Sequence, residues 1–256
     1  MRDKLTLKQV LAHPFLWLLG IIVILILVIG GVSRRTNSTT SSQTKTASTR
    51  NSQTTSSSID DLPKGVKTTD WDLVLVNRDH TASEMNPDVT TIDGVAVDSR
   101  IASATRQFLA VAQAIDSSEH LISGYRSVAY QESLFNNYVS QEMAADPSLT
   151  EKQAEDKVKT YSQPAGASEH MTGLAIDMST VDSLNESDPS VVSKLKEIAP
   201  QYGFVLRFEE DKTSSTGVDY EDWHWRYVGV KNAEYMTKHH LSLEEYIALL
   251  ERGHRT

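Results

Sequence analysis

The sequence predicts an α+β fold: a single domain with a small antiparallel sheet flanked by helices, preceded by one N-terminal transmembrane helix. Three observations carry this expectation. Helical and strand-like stretches are mixed without the regular alternation that builds a parallel sheet. An uncharged run extends from Phe15 to Val32. A tract of Ser, Thr, Gln and Asn then separates that run from everything with a core-forming pattern.

Residues 1–14 are short and mildly basic, and read as a cytoplasmic N-terminus. The run at residues 15–32, F-L-W-L-L-G-I-I-V-I-L-I-L-V-I-G-G-V, would make a helix about 27 Å long, close to the hydrocarbon thickness of a bilayer. It exceeds the usual core of a signal peptide, and no A-x-A-like cleavage site follows, so it reads as an anchor that is kept. Arg2, Lys4 and Lys8 precede it while Arg34 and Arg35 follow, so charge counting leaves its orientation open. Residues 33–58 are too polar to bury a core and read as a disordered Ser/Thr-rich linker.

The folded domain is expected over residues 59–256. Trp71–Asn77 has strand composition. Apolar residues at Ile101, Phe108, Val111, Ala112 and Ile115 predict a helix over 100–115. His120–Ser123 reads as a short buried strand. Ser127 is placed to cap a second helix ending near Met143, with Leu134, Tyr138 and Val139 inward. Residues 152–161 suggest a third, mostly polar helix, and 163–167 a loop. Gly173–Ser179, Phe204–Phe208 and His224–Val228 read as strands. Val191–Tyr202 reads as a helix closed by Gly203 in a left-handed cap. Ser242 and Glu245 form a capping box opening a last helix with Leu241, Tyr246 and Leu249. There are no internal repeats.

Composition excludes several kinds of chemistry. With no cysteine, disulfides, thiolate metal sites, a cysteine nucleophile and a lipidated N-terminal cysteine all fall away. Seven of the 25 Lys and Arg and one of the 34 acids precede residue 59, which leaves 18 basic against 33 acidic residues and a net charge of −15 beyond it. A domain that acidic lacks the basic contacts nucleic acid requires.

Two stretches concentrate chemical side chains: S-E-H-M-T-G-L-A-I-D at 168–177 and E-D-W-H-W-R-Y at 221–227. They offer His170, Asp177 and His224, with Glu221 three residues before the second histidine. Three N/O ligands with one position left for water suit a catalytic zinc, and a nearby unligated carboxylate suits a base. Taken singly, each histidine reads equally well as a packed or surface residue and Asp177 as a turn acid. The spacing alone is weak, and such a ligand set admits other divalent ions.

The surroundings supply the weight. S-G-Y-R-S-x-x-x-Q at 123–131, S-E-H-x-x-G-x-A-x-D at 168–177, Y-G-F-x-L-R-F at 202–208 and E-x-W-H-W-R-Y-V-G at 221–229 occur in that order. Together they resemble the zinc D-alanyl-D-alanine carboxypeptidases of the VanY type, whose relatives include L,D-carboxypeptidases of peptidoglycan. L-V-N-R-D-H at 75–80 is similar to the start of that domain, so the resemblance covers about residues 65–230. It implies the zinc D,D-carboxypeptidase/hedgehog-like fold and one zinc ion per domain. His170, Asp177 and His224 match the ligands, and Glu221 matches the carboxylate that activates the zinc-bound water. Arg126 matches the arginine that contacts substrate and the developing oxyanion, while Gln131 and Ser168 match positions that help hold the terminal residue.

The implied activity is removal of the terminal D-alanine from peptidoglycan stem peptides by a membrane-anchored, extracytoplasmic enzyme. Its partners would be stem peptides and, through the helix, the membrane, with no nucleic acid and no obligate protein partner. An L,D-carboxypeptidase acting on tetrapeptides shares the chemistry and differs in pocket shape. A silent muropeptide-binding module would not need Glu221, and a structural stalk would leave the histidine motifs unexplained. Elsewhere the bland readings stand. Arg126 could be a structural ion pair, and Glu169 a solvated or supporting residue and not a ligand. One of Trp223 and Trp225 should pack in the core and the other line the cleft. Tyr202 and Tyr220 read as packed residues. His239 and His240 read as surface, His80 and His120 lack metal-site spacing, and 209–212 reads as a solvated loop at the cleft rim.

Overall fold

The computed structural model describes residues 61–183 and 185–253. The expected anchor at 15–32, the residues before it and the linker at 33–58 lie outside the described residues. Among the described residues no helix is long and apolar enough to cross a membrane.

Chain order gives β1 (Val89–Ile92), β2 (Val95–Asp98), α1 (Ala102–Ile115), β3 (His120–Ser123), α2 (Val128–Ala145) and α3 (Glu151–Val158). There follow β4 (Ala175–Ser179), α4 (Pro189–Ile198), β5 (Phe204–Leu206), α5 (Thr213–Thr216), β6 (His224–Tyr227), α6 (Val230–His239) and α7 (Leu243–Gly253). The main sheet runs β3-β4-β6-β5 with every neighbouring pair antiparallel. A mixed fold with small antiparallel sheets is therefore what the sequence led us to expect.

Alternation along the strands decides which face becomes chemical. In β4, Ile176 and Met178 enter the main core, and in β6 Trp225 does the same. Asp177 and His224 are one step out of phase, and a strand sends successive side chains to opposite faces. The β4–β6 register pairs these two residues directly, so they share one face. Behind the sheet, Phe108 of α1 lies 5.1 Å from Phe204 and 5.2 Å from Trp225, ring centre to centre. A second core gathers Val205 and Val228 with Tyr235, Met236, Leu243 and Tyr246 of α6 and α7.

Helix ends follow the sequence closely. The Ser127 hydroxyl accepts from Tyr130 N–H, and Ser242 and Glu245 exchange both bonds of a capping box. Gly203 adopts a left-handed backbone after a 3-10 turn that extends α4. Inside α2 the buried face is Gln131, Phe135 and Val139, with Leu134 and Tyr138 half-buried beside it.

Three differences have physical causes. Trp71–Asn77 is not a strand: Asp72 and Val74 give their carbonyls to the Arg226 guanidinium at 3.1 and 2.8 Å, not to a neighbouring strand. A hairpin, β1–β2, is present where none was expected, turning through Asp93 and Gly94 at φ 46 and 88. That Asp-Gly pair is a strong two-residue hairpin signal. Finally, α6 follows β6 directly; its short, polar sequence hides the buried Ala233 and Met236.

Candidate active site

His170 is delivered by a 3-10 turn, Glu169–Thr172, closed by Gly173 at φ 70. A side chain at Gly173 would press on Asp98 N, 2.8 Å from where its Cβ would sit, so the turn is held against the β1–β2 hairpin. His170 Nδ1 lies 2.7 Å from the Gly124 carbonyl oxygen. A carbonyl only accepts, so Nδ1 carries the proton and Nε2 keeps its lone pair. Gly124 is itself close-packed, since a Cβ there would collide with the Ala96 carbonyl.

His224 presents the complementary arrangement. Its Nε2 lies 3.0 Å from Glu169 Oε1, an acceptor, which leaves Nδ1 for the other side. On that side Nδ1 is 3.5 Å from Asp177 Oδ1 and 3.3 Å from Glu221 Oε2. His170 Nε2 is 3.4 Å from the same Asp177 Oδ1. All four residues are nearly inaccessible, and Asp177 Oδ1 has no hydrogen-bond partner.

A buried carboxylate oxygen without a donor is costly. Two imidazole nitrogens face it within one small volume, and the three ligand atoms lie within 4.8 Å of one another. Two nitrogens and one oxygen meeting at an orphaned anion fit a zinc ion and leave room for a further ligand. A second grouping, Glu209, Asp211 and His240, is largely exposed. There His240 pairs with Asp211 and Glu209 with Lys196.

The electrostatics follow the geometry. Burial lowers the His170 pKa, and the Arg126 charge lowers it further. Burial alone would raise Asp177, yet His170 and Arg126 hold its carboxyl well below the usual range. For His224, burial is outweighed by Glu169, Glu221 and Asp177, which push it up to about 9. Burial pushes Glu221 up to about 7.

Arg126 arrives from the β3–α2 connection and leans over the cluster. Its Nη2 lies 2.7 Å from Asp177 Oδ2 and 2.8 Å from Ser123 Oγ. Gln131 Oε1 accepts from Arg126 Nη1 at 3.0 Å, while its amide donates to the Gln163 carbonyl at 2.7 Å. Gln131 thus braces the arginine from a buried position. Ser168 heads the 3-10 turn, buried, without a side-chain capping bond.

Of the two readings open for Glu169, solvated or supporting, the structure shows the second: it is 3 % exposed and hydrogen-bonded. Its Oε2 takes Arg226 Nη1 at 2.7 Å and Arg207 Nε at 3.2 Å. Arg207 then makes a two-pronged pair with Glu244 at 3.0 and 2.6 Å. The available signal was an arginine set inside each apolar strand motif, V-L-R-F and H-W-R-Y, since a buried guanidinium demands a buried carboxylate. Trp225 packs in the core as expected of one tryptophan, and Trp223 is buried as well.

Comparison with known proteins adds the decisive observation: residues 94–230, just over half the chain, match the VanY D-alanyl-D-alanine carboxypeptidase family. The chain belongs to that family. A D-alanyl-D-alanine carboxypeptidase of Enterococcus faecalis is 32% identical over 180 residues, covering 70% of this chain and 66% of that protein. One from Enterococcus faecium is 38% identical over 130 residues, covering 50% of this chain and 36% of that protein. The chain therefore spans under two thirds of the length of these curated VanY relatives.

Among solved structures, VanYB with D-alanine-D-alanine is 31% identical with a TM-score of 0.64, covering 70% of this chain and 98% of that one. A VanY D,D-pentapeptidase mutant with Zn(II) reaches 0.62 at 31% identity, covering 70% and 99%. The L,D-carboxypeptidase LdcB reaches 0.53 at 31% identity, covering 68% and 84%.

Proposed function

We propose that this chain is a zinc-dependent D-alanyl-D-alanine carboxypeptidase that removes the terminal D-alanine from peptidoglycan stem peptides. The observation that carries the reading is the unpartnered Asp177 Oδ1 faced by His170 Nε2 and His224 Nδ1, with Glu221 beside the same nitrogen of His224. His170, Asp177 and His224 would hold the ion. Zinc bound there supplies Lewis acidity, polarising the scissile carbonyl and acidifying water.

The chain's own residues do the rest. Glu221 takes the proton of the attacking water and returns it to the departing D-alanine amine, a transfer that one carboxylate can serve in both directions. Arg126 offers a planar, fixed cation to the substrate carboxylate and the developing oxyanion. Gln131 holds that guanidinium in place, and Ser168 lies at the head of the turn that carries His170. Burial of His170, Asp177, His224 and Glu221 keeps bulk water from weakening these interactions.

The membrane reading belongs to the same proposal. Residues 15–32 anchor the chain, residues 33–58 tether it, and the domain from 59 onward works on the extracytoplasmic face, within reach of nascent wall.

The test gives zinc-loaded full-length chain a stem pentapeptide and a stem tetrapeptide separately and follows alanine release by mass spectrometry, with a chelated control. Zinc-dependent cleavage of the pentapeptide is expected. Cleavage of the tetrapeptide alone would make the chain an L,D-carboxypeptidase, and binding without cleavage would make it a wall sensor.

A further inference from the structure

We propose that Glu169 is a positioning residue for the metal centre: it holds the His224 ring so that Nδ1 is the nitrogen presented to the ion. The proposal rests on the zinc reading above. His224 hangs from the first residue of β6, and the strand fixes its Cα but not the rotation of its ring. Rotation about the ring bond would carry Nδ1 away from Asp177. What opposes it is the 3.0 Å contact from Nε2 to Glu169 Oε1, on the ring edge away from Asp177. An imidazole nitrogen whose partner only accepts must carry the proton there, so the other nitrogen is the one free to ligate.

Glu169 can do this because it cannot itself move. Arg226 Nη1 holds its Oε2 at 2.7 Å, and Arg207 Nε reaches both oxygens at 3.1 and 3.2 Å. Each guanidinium is anchored in turn. Arg226 donates to the carbonyls of Asp72, Val74 and Tyr227. Arg207 is clamped by Glu244 at the start of α7. The His224 orientation is thus tied to main-chain carbonyls and to the C-terminal helix. A carboxylate serving only to neutralise two arginines would not need to face the histidine. Glu244 is the neutralising kind, because its oxygens accept from the Arg207 guanidinium and from Asn77.

The difference between these two acids supplies the experiment. Full-length parent, Glu169→Asp, Glu169→Gln and Glu244→Gln chains are stripped of metal. Zinc affinity is then measured by competitive titration, and the cobalt-loaded forms are compared by visible spectrum. Glu169→Asp keeps the charge between the arginines but withdraws the oxygen from His224. It should fold, bind zinc about 10–100-fold more weakly and shift the cobalt bands. Glu169→Gln should weaken zinc similarly if it folds. Glu244→Gln should lose stability and keep zinc affinity within about threefold of the parent. Parent-like affinity and spectrum in Glu169→Asp would overturn the proposal, as would equal weakening in Glu169→Asp and Glu244→Gln. A parent chain that binds no zinc would overturn the zinc reading and this inference together.

Discussion

The two edges of the His224 ring face opposite kinds of surroundings. Beyond Nε2 lies a closed set of charges, Glu169, Arg207, Arg226 and Glu244, in which the acids and guanidiniums are matched and hydrogen-bonded. Beyond Nδ1 lie Asp177, with one oxygen unpartnered, and Glu221, with its pKa pushed up. A low-dielectric interior strengthens a satisfied network and penalises an unsatisfied one. The closed edge therefore stores stability, and the open edge keeps an unmet demand for a cation. One side chain joins them, so changes on the open edge should cost rate, while changes on the closed edge should cost stability and reach the metal only through Glu169.

The largest effect is expected on the open edge. Glu221→Gln removes the proton acceptor while preserving shape. Its kcat on stem pentapeptide should fall about 10²–10⁴-fold. Stability should hold or rise, because an amide relieves the burial of a carboxylate that already resists ionising. Steady-state kinetics and urea unfolding on one preparation would check both halves. A variant that unfolds easily yet turns over normally would erase the distinction between the edges.

Arg226→Met makes the opposite cut. Arg226 is wholly buried and serves Glu169 and three main-chain carbonyls. Removing one partner of a buried ion pair strands the other, at about 3–5 kcal/mol. Urea unfolding should register that loss, in contrast to Glu221→Gln.

How far each edge could be read in advance differs for the same physical reason. His170, Asp177, His224 and Glu221 lie within two short motifs that carry the family resemblance, and the β4–β6 register sets Asp177 opposite His224. The closed edge depends on partners 38 and 57 residues away from Glu169, and no local pattern reports such pairings. Hence the sequence leaves Glu169 open between a solvated and a supporting acid. Trp71–Asn77 misled in a related way. Its composition suited a strand, but the carbonyls at Asp72 and Val74 are taken by Arg226. The β1–β2 hairpin is a different case, since its Asp93-Gly94 turn is itself a local hairpin signal. Caps at Ser127, Gly203 and Ser242 were readable because their chemistry is local.

Glu119 sharpens the comparison by isolating one variable. Like Asp177, it is buried with one unpartnered carboxylate oxygen. Burial, with Asp116 adding and His120 offsetting in part, pushes its pKa up to about 7. Asp177, with His170 and Arg126 beside it, is held down instead. The sign follows from linkage. A folded pKa above the unfolded value means the native state binds more protons, so this stability is complete below about pH 4.5 and is lost as pH rises through about 7. The loss should reach about 2–3 kcal/mol by pH 8. Glu119→Gln should flatten that part of the stability profile, measured as urea midpoints at pH 5 and 8. An unchanged slope would mean that Glu119 stays ionised without a partner.

The smallest effect tests where the closed edge ends. Glu244 reaches Arg207 from the first turn of α7, and that turn is set by the capping box between Ser242 and Glu245, at 2.8 and 3.2 Å. Ser242→Ala removes the acceptor for the Glu245 N–H and should cost about 1 kcal/mol. The helix is also held by Leu243, Tyr246, Leu249 and Leu250 in the second core, so Glu244 should keep its place. Arg207 is meanwhile gripped by Glu169 from the other side. Denaturation should therefore shift by that amount while zinc affinity stays at the parent value. A drop in zinc affinity on loss of this one hydroxyl would mean the cap, the helix and the His224 ring form a single cooperative unit, and the closed edge would extend to the C-terminal helix surface.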